Sequence, residues 1–585
     1  MHQLKSFFKQ RCARALAAMD GSAEKGALDE ASIVVEIPPR PDMGDLAFPM
    51  FSYAKLLKKA PPLIAAEVAR SLAEDVECAR RGKAVAVGPY VNVYLNRSSV
   101  AQELLSTLLK EEPRGRELSF LAGKRIMVEF SSPNTNKPLH LGHLRNDVLG
   151  ESISRILAAC GATVRKVCII NDRGIHICKS MLAYKEQGNG STPESVGVKS
   201  DRFVGDWYVR FHTMSQEDPT AEERAQQLLR QWEAGDPETI ALWKQMNQWA
   251  VEGIKATYRR TGVSFDHYYF ESETYLKGKE EVLKGLERGI FYREADGSVW
   301  IDLTAEGLDK KVLLRKDGTS LYITQDIGTA IFRHRDWPFD QLIYVVGSEQ
   351  QYHFKVLFKV LEKLGFEWAR NLYHLSYGMV NLPEGKMKSR EGTVVDADDL
   401  IDNLKEMAIE EIREKDREAI VGSVEDVAER IAIGALHYYL LQVSPTKDML
   451  FNPKESLSFN GNTGPYLQYM GARISSMLRK KEGSAASRGM VRPELLTGDP
   501  EWELLKTLAQ FPEALETAAR SLDPSLIASY LYEVSKTFSR FYHDCPILNA
   551  EEPDLAATRL SLSEAVLRVL RTAMDLVCIP FLEVM

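Results

Sequence analysis

The fold is decided by the stretch SSPNTNKPLHLGH, residues 131–143, which lies between an apolar segment and a long helical pattern. Arg125 to Phe130 predicts a strand, and a helix is predicted from about His140 to Cys160, where Gly161 ends it. Thr163 to Ile170 predicts the next strand. A strand, a crossover helix and a second strand together indicate a parallel nucleotide-binding sheet.

The predicted helix start is suited to phosphate. Backbone N–H groups at a helix N-terminus attract anions, and Gly142 lets a nucleotide approach the backbone closely. His140 and His143 lie three residues apart on one face, so both can reach the same polyphosphate. The alternatives are a pair of capping or core histidines, or a metal site. Zinc sites of the H-E-x-x-H type space their histidines at i, i+4, so we expect no metal here.

Working outward from this sheet, the pattern predicts three domains. Residues 1–115 predict a small N-terminal α/β domain, which ends in a linker at Glu111 to Gly115. Residues 116–400 predict a Rossmann-like parallel-sheet domain with a polar helical insertion at about 180–290, and residues 401–585 predict an all-α domain. The fold class is therefore α/β. Further strands are predicted at Ile33 to Ile37, around Val85 to Val93, at Val299 to Leu303, at Tyr322 to Thr324 and at Leu342 to Val346.

Composition excludes several classes of protein. The 585 residues include 74 basic and 82 acidic side chains, a net charge of -8, with 44% hydrophobic and 27% charged residues. This balance excludes wholesale disorder and argues against a protein that coats nucleic acid by bulk charge. Seven scattered cysteines without a C-x-x-C pair indicate reduced thiols and a cytoplasmic location. The sequence contains no apolar run of about 18 residues, so no membrane span is predicted.

The first nineteen residues carry four basic side chains and no acid, with apolar residues at helical spacing. Such a segment is either a transit peptide or the first helix of the N-terminal domain. Because it is poor in serine, we interpret it as the domain helix.

A second basic motif, KMKSREG at residues 386–392, follows the predicted sheet. A basic loop at the end of a parallel strand can close over pyrophosphate and stabilise developing charge. Taken alone, such a loop is an ordinary solvated surface.

Together, His140-Leu141-Gly142-His143 and the segment Lys386 to Arg390 resemble the two signature motifs of class I aminoacyl-tRNA synthetases. Further stretches narrow the resemblance to arginyl-tRNA synthetases, over nearly the whole chain. They are EFSSPN at 129–134, LYITQD at 321–326, VGSEQQYHF at 346–354 and NTGPYLQY at 462–469. The stretch GDLAFP at 44–49 resembles the N-terminal domain of that family, which recognises the tRNA elbow.

The resemblance implies an arginine–tRNA ligase that forms arginyl-adenylate from L-arginine and ATP, with Mg²⁺ accompanying the ATP, and transfers arginine to the 3′ end of tRNA(Arg). It implies phosphate binding by Lys137, His140, Gly142 and His143, closure over pyrophosphate by Lys386 and Arg390, and ATP binding by Lys386 and Met387. The segment Gly378, Met379 and Val380 would bind adenine. The alternative for that segment is an ordinary buried strand.

An arginine site must hold a planar cation with five donors, which requires carboxylates and amide oxygens. Asp326 stands at the end of a predicted strand, where α/β sheets bind ligands. The resemblance implies that Tyr322, Asp326 and Gln350 bind the guanidinium, and that Glu129, Asn134 and His140 line the α-amino and carboxylate end. The alternatives are a helix N-cap for Asp326, a strand-end ion pair for Glu129, and packing or surface roles for Tyr322 and Gln350.

A local basic face in the helical domain is suited to binding RNA. Six basic residues and one acid occupy 473–492, downstream of two tyrosines that offer stacking surfaces. The resemblance makes this the anticodon-binding domain, and a solvated helix face is the alternative. The predicted RNA-binding residues are Tyr466, Tyr469, Arg473, Arg479, Lys480 and Lys481.

Two positions depart from the family pattern. Ser389 stands where class I enzymes have a catalytic lysine, so Lys137 or Arg390 is expected to supply that charge. His176 stands where we expect glutamine, and no role is assigned to it. The remaining alternatives for the whole chain are a tRNA-binding protein without charging activity and a small-molecule adenylyltransferase with an H-x-G-H site. We expect a monomer.

Overall fold

The computed structural model describes residues 1–20, 30–110, 118–381, 383, 395–482 and 484–585. Its N-terminal elements are α1 (His2–Asp20), β1 (Leu46–Pro49), α2 (Ala54–Leu57), α3 (Pro61–Glu74), α4 (Val76–Arg81), β2 (Gly82–Val87), β3 (Tyr90–Leu95) and α5 (Arg97–Lys110). The three strands form an antiparallel sheet in the order β1-β3-β2. Leu4 and Phe8 of α1 are each 1% exposed, so this helix belongs to the domain core, as predicted.

The strands of this small domain differ from the predicted ones. The predicted strand at Ile33 to Ile37 is wrong, since only an isolated bridge joins Glu36 to Ala47. The apolar stretch around Val85 to Val93 forms two strands, because the chain turns at Gly88 with φ +56°. The predicted linker at Glu111 to Gly115 lies outside the described residues.

The central region contains β4 (Arg125–Glu129), α6 (Leu141–Ala159), β5 (Thr163–Ile170), α7 (Ile175–Gln187), α8 (Pro193–Val196), α9 (Ser200–Glu217), α10 (Ala221–Glu233), α11 (Pro237–Thr261), β6 (His267–Phe270), α12 (Glu271–Thr274), α13 (Lys277–Glu287), β7 (Tyr292–Arg293), β8 (Val299–Ile301), β9 (Lys311–Leu314), α14 (Tyr322–Asp336), β10 (Gln341–Gly347), α15 (Gln351–Lys363), β11 (Leu372–Tyr377) and β12 (Val380–Asn381). A five-stranded sheet runs in the order β11-β10-β4-β5-β6, and every pair in it is parallel. This confirms the predicted Rossmann-like sheet.

Helix α6 packs tightly against the sheet that precedes it. A Cβ built on Gly150 would lie 2.1 Å from Cγ of Phe130, so only glycine permits this approach of helix to strand end. On the opposite side, Ser152 Oγ donates to the Leu576 carbonyl at 2.6 Å. The helix is therefore held between the sheet and the C-terminal helices, and its N-terminus has a fixed position.

Two predictions within this region are wrong. The predicted helical insertion contains strand β6, which forms an edge of the parallel sheet. The predicted strand at Tyr322 to Thr324 is the first turn of α14. Ile323, Ile327 and Ile331 recur at intervals of four and are all buried, so tertiary packing of one helix face overrides the β-propensity of a short β-branched run.

The C-terminal elements are α16 (Ala397–Glu414), α17 (Glu418–Val421), α18 (Val424–Leu441), β13 (Met449–Leu450), α19 (Pro453–Ser456), α20 (Gly464–Arg479), α21 (Asp499–Ala509), α22 (Phe511–Ser521), α23 (Ser525–Asp544) and α24 (Pro553–Leu576). This region is helical as predicted, except for β13, which pairs with β12. The domain boundaries near residues 115 and 400 stay predictions. Within the described residues, no helix is both long and apolar enough to cross a bilayer.

Candidate active site

His140 and His143 cap the helix that carries them. His140 is the N-cap of α6: its Nδ1 accepts from the Gly142 N–H at 3.1 Å, and its own N–H donates to His143 Nδ1 at 3.2 Å. The ring centroids lie 3.9 Å apart. Since both Nδ1 atoms accept hydrogen bonds, the proton of each neutral ring is on Nε2. Capping and phosphate binding are therefore compatible, because each histidine still has an Nε2–H donor.

Burial keeps these imidazoles neutral. Desolvation, with a smaller contribution from the Lys137 charge, lowers the pKa of His140 to about 4. Desolvation also holds the pKa of His143 well below its usual value, with smaller contributions from His140 and Lys137. Burial lowers the pKa of the Lys137 ammonium as well. Among the predicted phosphate-binding residues that the structure describes, Lys137 is thus the one formal cation.

The loop before α6 is anchored to both neighbouring elements. Ser131 and Ser132 have φ of +69° and +50°, a conformation that non-glycine residues adopt at a cost of about 1–3 kcal/mol. The Ser131 N–H donates to Asn146 Oδ1 at 2.5 Å, and Asn171 Nδ2 donates to the Ser132 carbonyl at 3.0 Å. The exposed Asn134 is bridged to Asn171 at the end of β5. These contacts fix the loop that presents Asn134.

Glu129 has a buried partner that sequence alone does not identify. Its carboxylate pairs with the guanidinium of Arg333 on α14, which is 1% exposed, and accepts from Ser132 Oγ at 3.1 Å. The ion-pair alternative for Glu129 is therefore what the structure contains. A carboxylate has about four acceptor positions, so Glu129 retains free ones beside this pair.

The predicted adenine segment is held by a buried arginine. Arg145, in the second turn of α6, donates to the Gly378 carbonyl at 2.5 Å and to the Met379 carbonyl at 3.2 Å. The N–H groups of Gly378 and Met379 donate to the Pro445 carbonyl and to Asp448. The backbone N–H and C=O groups of these two residues thus already have hydrogen-bond partners within the protein. Met379 itself is 40% exposed. Adenine binding here stays a prediction, and it would depend on the Met379 side chain.

Of the residues predicted to bind the guanidinium, Asp326 is the one with a defined side-chain partner. This residue lies inside the first turns of α14, so both its predicted place at a strand end and the N-cap alternative are wrong. His353 Nε2 lies 2.6 Å from Asp326 Oδ2. Tyr322 is 77% exposed at the start of α14, and Gln350 is exposed in the turn after β10. His353 is the third residue of α15, the helix that follows β10. Its contact with Asp326 therefore places this carboxylate at the carboxyl end of the parallel sheet.

Glu271 is a further carboxylate that the sequence analysis does not identify. It is the first residue of α12, directly after β6, and its side chain is 16% exposed. Burial, together with the charges of Asp172 and Asp326, raises its pKa to about 7 against the opposing effect of Arg173. Arg173 Nη1 lies 3.9 Å from the Glu271 carboxylate. The sequence does not indicate Glu271 as a site residue, because β6, the strand that precedes it, lies in a segment predicted to be helical.

The remaining predicted residues divide by location. Tyr469 is 36% exposed on α20, and Arg479, Lys480 and Lys481 are exposed at its end. Arg473 lies over the Tyr542 ring at 3.8 Å, and Tyr466 OH is 3.1 Å from Ser539 Oγ, so these two pack against α23. Lys386, Met387, Ser389 and Arg390 lie outside the described residues. His176 Nδ1 is 3.1 Å from Tyr208 OH in the helical insertion.

Comparisons with known proteins cover the whole chain. The family model described as tRNA synthetases class I (R), catalytic domain, matches residues 104–453. The Arginyl tRNA synthetase N terminal domain matches 2–95, and the DALR anticodon binding domain matches 467–585.

Individual relatives agree with these matches. A protein named arginine–tRNA ligase from Treponema denticola is 64% identical over 559 residues, with 94% of this chain and 95% of that protein covered. Its namesake from Treponema pallidum is 58% identical over the full length of both chains. The solved arginyl-tRNA synthetase of Thermus thermophilus superposes with a TM-score of 0.82 at 27% identity, with 100% of each chain covered.

Proposed function

This chain belongs to the arginyl-tRNA synthetase family, and we propose that it joins L-arginine to tRNA(Arg) in two steps. In the first step the arginine carboxylate attacks the α-phosphate of ATP, which forms arginyl-adenylate and releases pyrophosphate. In the second, a hydroxyl at the 3′ end of the tRNA takes the arginyl group and releases AMP. No protein nucleophile is required, so the enzyme works by positioning and electrostatic stabilisation.

The observation that carries this proposal is a pair of side-chain groups at one edge of the sheet. One group offers hydrogen-bond donors and a cation, and the other offers carboxylates. Nε2–H donors and Lys137 stand at the start of α6, and the His353-held Asp326 with Glu271 stands beyond β6 and β10. The first end suits polyphosphate, and the second suits a guanidinium. Glu129 and Asn134, next to the α6 start, would take the α-amino and carboxylate groups.

Roles on the phosphate end follow from the donors. Lys137, His140 and His143 would hold phosphate oxygens, with Gly142 leaving room for them, and Lys386 with Arg390 would cover the pyrophosphate. Within the described residues, no group of three or more His, Cys, Asp or Glu side chains could hold a metal ion. Mg²⁺ prefers oxygen ligands, so it would arrive on the phosphates of ATP rather than in a cage of protein nitrogens.

The helical C-terminal region would bind the tRNA through the face of α20. We propose that the enzyme acts as a monomer in the cytoplasm, a location that fits seven buried free cysteines. A small-molecule adenylyltransferase is not favoured, since it needs no helical domain of this size. A tRNA-binding protein without activity is not favoured either, since H-x-G-H and Asp326 are intact.

The decisive experiment offers each of the twenty amino acids with ATP and total tRNA. Only arginine should be charged, and charging of another amino acid, or of none, would contradict the proposal. Pyrophosphate exchange then tests the coupling implied by the family. Exchange should be near background with arginine and ATP alone and should rise when tRNA is added, because tRNA shifts the site toward its active state.

A further inference from the structure

A cavity of about 310 Å³ lies where α6, α11, α18 and α24 meet, and it includes Arg155 near the opposite end of α6 from His140. Its wall contains five arginines: Arg155, Arg259, Arg260, Arg430 and Arg571. Only two acidic side chains, Glu429 and Asp575, line the same cavity. Arginine is therefore the most frequent residue type in this wall.

The two acids are already engaged by two of the arginines. Arg260 Nε donates to Glu429 at 2.7 Å, and its other nitrogens donate to Asp398 and Asp402. Arg155 donates to Asp575 at 3.1 Å and to Glu151 at 2.9 Å. The acids of the wall are thus paired locally, and Arg571 pairs with Glu583, so Arg259 and Arg430 are the two wall arginines without a carboxylate partner among the described residues.

Arg259, Arg430 and Arg571 retain most of their donors. The Arg259 guanidinium has no hydrogen-bond or ion-pair partner among the residues that the structure describes. Arg430 donates to the Phe581 carbonyl, and Arg571 pairs with Glu583 while its Cζ lies 4.4 Å over the Phe581 ring. A guanidinium has five N–H donors, so a ligand in the cavity would meet many free ones.

We propose that this cavity binds a phosphate group of the tRNA backbone, held by Arg259, Arg430 and Arg571. Guanidinium groups match phosphate oxygens in geometry and charge. The same chemistry would suit a free polyphosphate, but the surroundings favour RNA. Arg479 Nη2 donates to the Glu583 carbonyl at 3.2 Å, so the C-terminal tail connects the cavity to the predicted RNA face of α20. The proposal rests on the proposed function, because it takes tRNA as the bearer of the phosphate.

The test compares the full-length wild type with the double variant Arg259→Gln/Arg430→Gln. The control, Arg293→Gln/Arg370→Gln, removes two exposed arginines from other parts of the central region. The measurements are the KM for tRNA, kcat at saturating tRNA, and the dependence of the tRNA Kd on salt. Circular dichroism and a melting curve establish that each variant is folded. Tripolyphosphate is titrated in parallel as a free-anion probe.

The double variant should bind tRNA about tenfold more weakly, the scale for losing hydrogen bonds to a charged group. Its log Kd should change less steeply with log salt, by about one phosphate contact. The kcat at saturating tRNA and the KM for arginine should stay as in the wild type, and the control should bind tRNA normally.

Two results would overturn the assignment. Unchanged tRNA binding with one fewer tripolyphosphate bound per chain would move the site to free polyphosphate. Unchanged binding of both would show that the cavity holds no anion. Either result leaves the proposed function intact, which fails only if the wild type does not charge tRNA with arginine.

Discussion

The phosphate end and the guanidinium end of the site lie at one edge of the same sheet and are suited to ligands of opposite charge. At the start of α6, burial lowers the pKa of His140 and His143, so the ligand meets neutral donors and one lysine. Beyond β6, burial raises the pKa of Glu271 to about 7. Desolvation thus pushes both ends toward their neutral forms. The difference is that His140 and His143 stay neutral at physiological pH, whereas Glu271 lies close to its pKa of about 7.

The largest expected effect concerns charge recognition at the guanidinium end. Citrulline has the shape of arginine but is neutral, which would leave Asp326 unpaired, so it should be rejected by about 10⁴–10⁵ in kcat/KM. Asp326→Asn should lose about 2–5 kcal/mol of arginine binding, because it removes one partner of a charge pair. Steady-state kinetics measure both. Glu367→Gln, an exposed acid beyond the far end of α15, serves as the control. A wild-type KM for arginine in Asp326→Asn would show that this residue does not bind the guanidinium.

At the phosphate end, the histidines should act on the transition state. His143→Ala should lower the activation rate by about 10²–10³, the scale for losing one preorganised donor, while ATP affinity changes far less. Because His143 also caps α6, His143→Asn is the matched variant: its Oδ1 can accept from the His140 N–H but supplies no donor in the place of Nε2. A normal rate in His143→Asn would mean that the cap alone matters.

Lys137 should supply the charge that Ser389 cannot. Lys137→Ala is expected to lower kcat for activation by about two orders of magnitude, with little change in the KM for arginine, since the interaction is made mainly in the transition state. Adding Ser389→Lys should restore part of the rate. Lys124→Ala, an exposed lysine before β4, is the control. Near-normal activation in Lys137→Ala with a severe defect in Arg390→Ala would transfer the role to Arg390.

The smallest expected effect is a difference in pH dependence between the two ends. Glu271 offers a charge to arginine only when ionised, so affinity is present above its pKa of about 7 and is lost as the pH falls through it. The KM for arginine should rise about tenfold between pH 8 and pH 6, the change that one such protonation produces. The KM for Mg-ATP should change little, because the pKa of His140 is about 4.

Two variants separate Glu271 from its neighbours. Glu271→Gln should have a high KM for arginine at both pH values and no dependence between them. His353→Gln tests whether the histidine beside Asp326 is the titrating group, and Arg173 and Asp172 are the other charged side chains that act on Glu271. A pH dependence that persists in Glu271→Gln and disappears in His353→Gln would reassign it.

The sequence by itself determined the phosphate end. His140, Gly142 and His143 sit within four consecutive positions at a strand-to-helix junction, and local hydrogen bonds fix their geometry. A helix start, its cap and the preceding strand are all short-range features, so periodicity and spacing predict them. The parallel sheet follows from the same local alternation of strands and helices.

Only the tertiary structure decided the guanidinium end and the arginine-lined cavity. Tyr322 to Thr324 is strand-like in isolation, but it becomes helical because the isoleucine face of α14 finds a core to pack against. Asp326 acquires His353 from 27 residues away, and Arg259 meets Arg430 and Arg571 across distant segments. The proximity of residues so distant in sequence depends on long-range packing, which no local pattern of residues encodes.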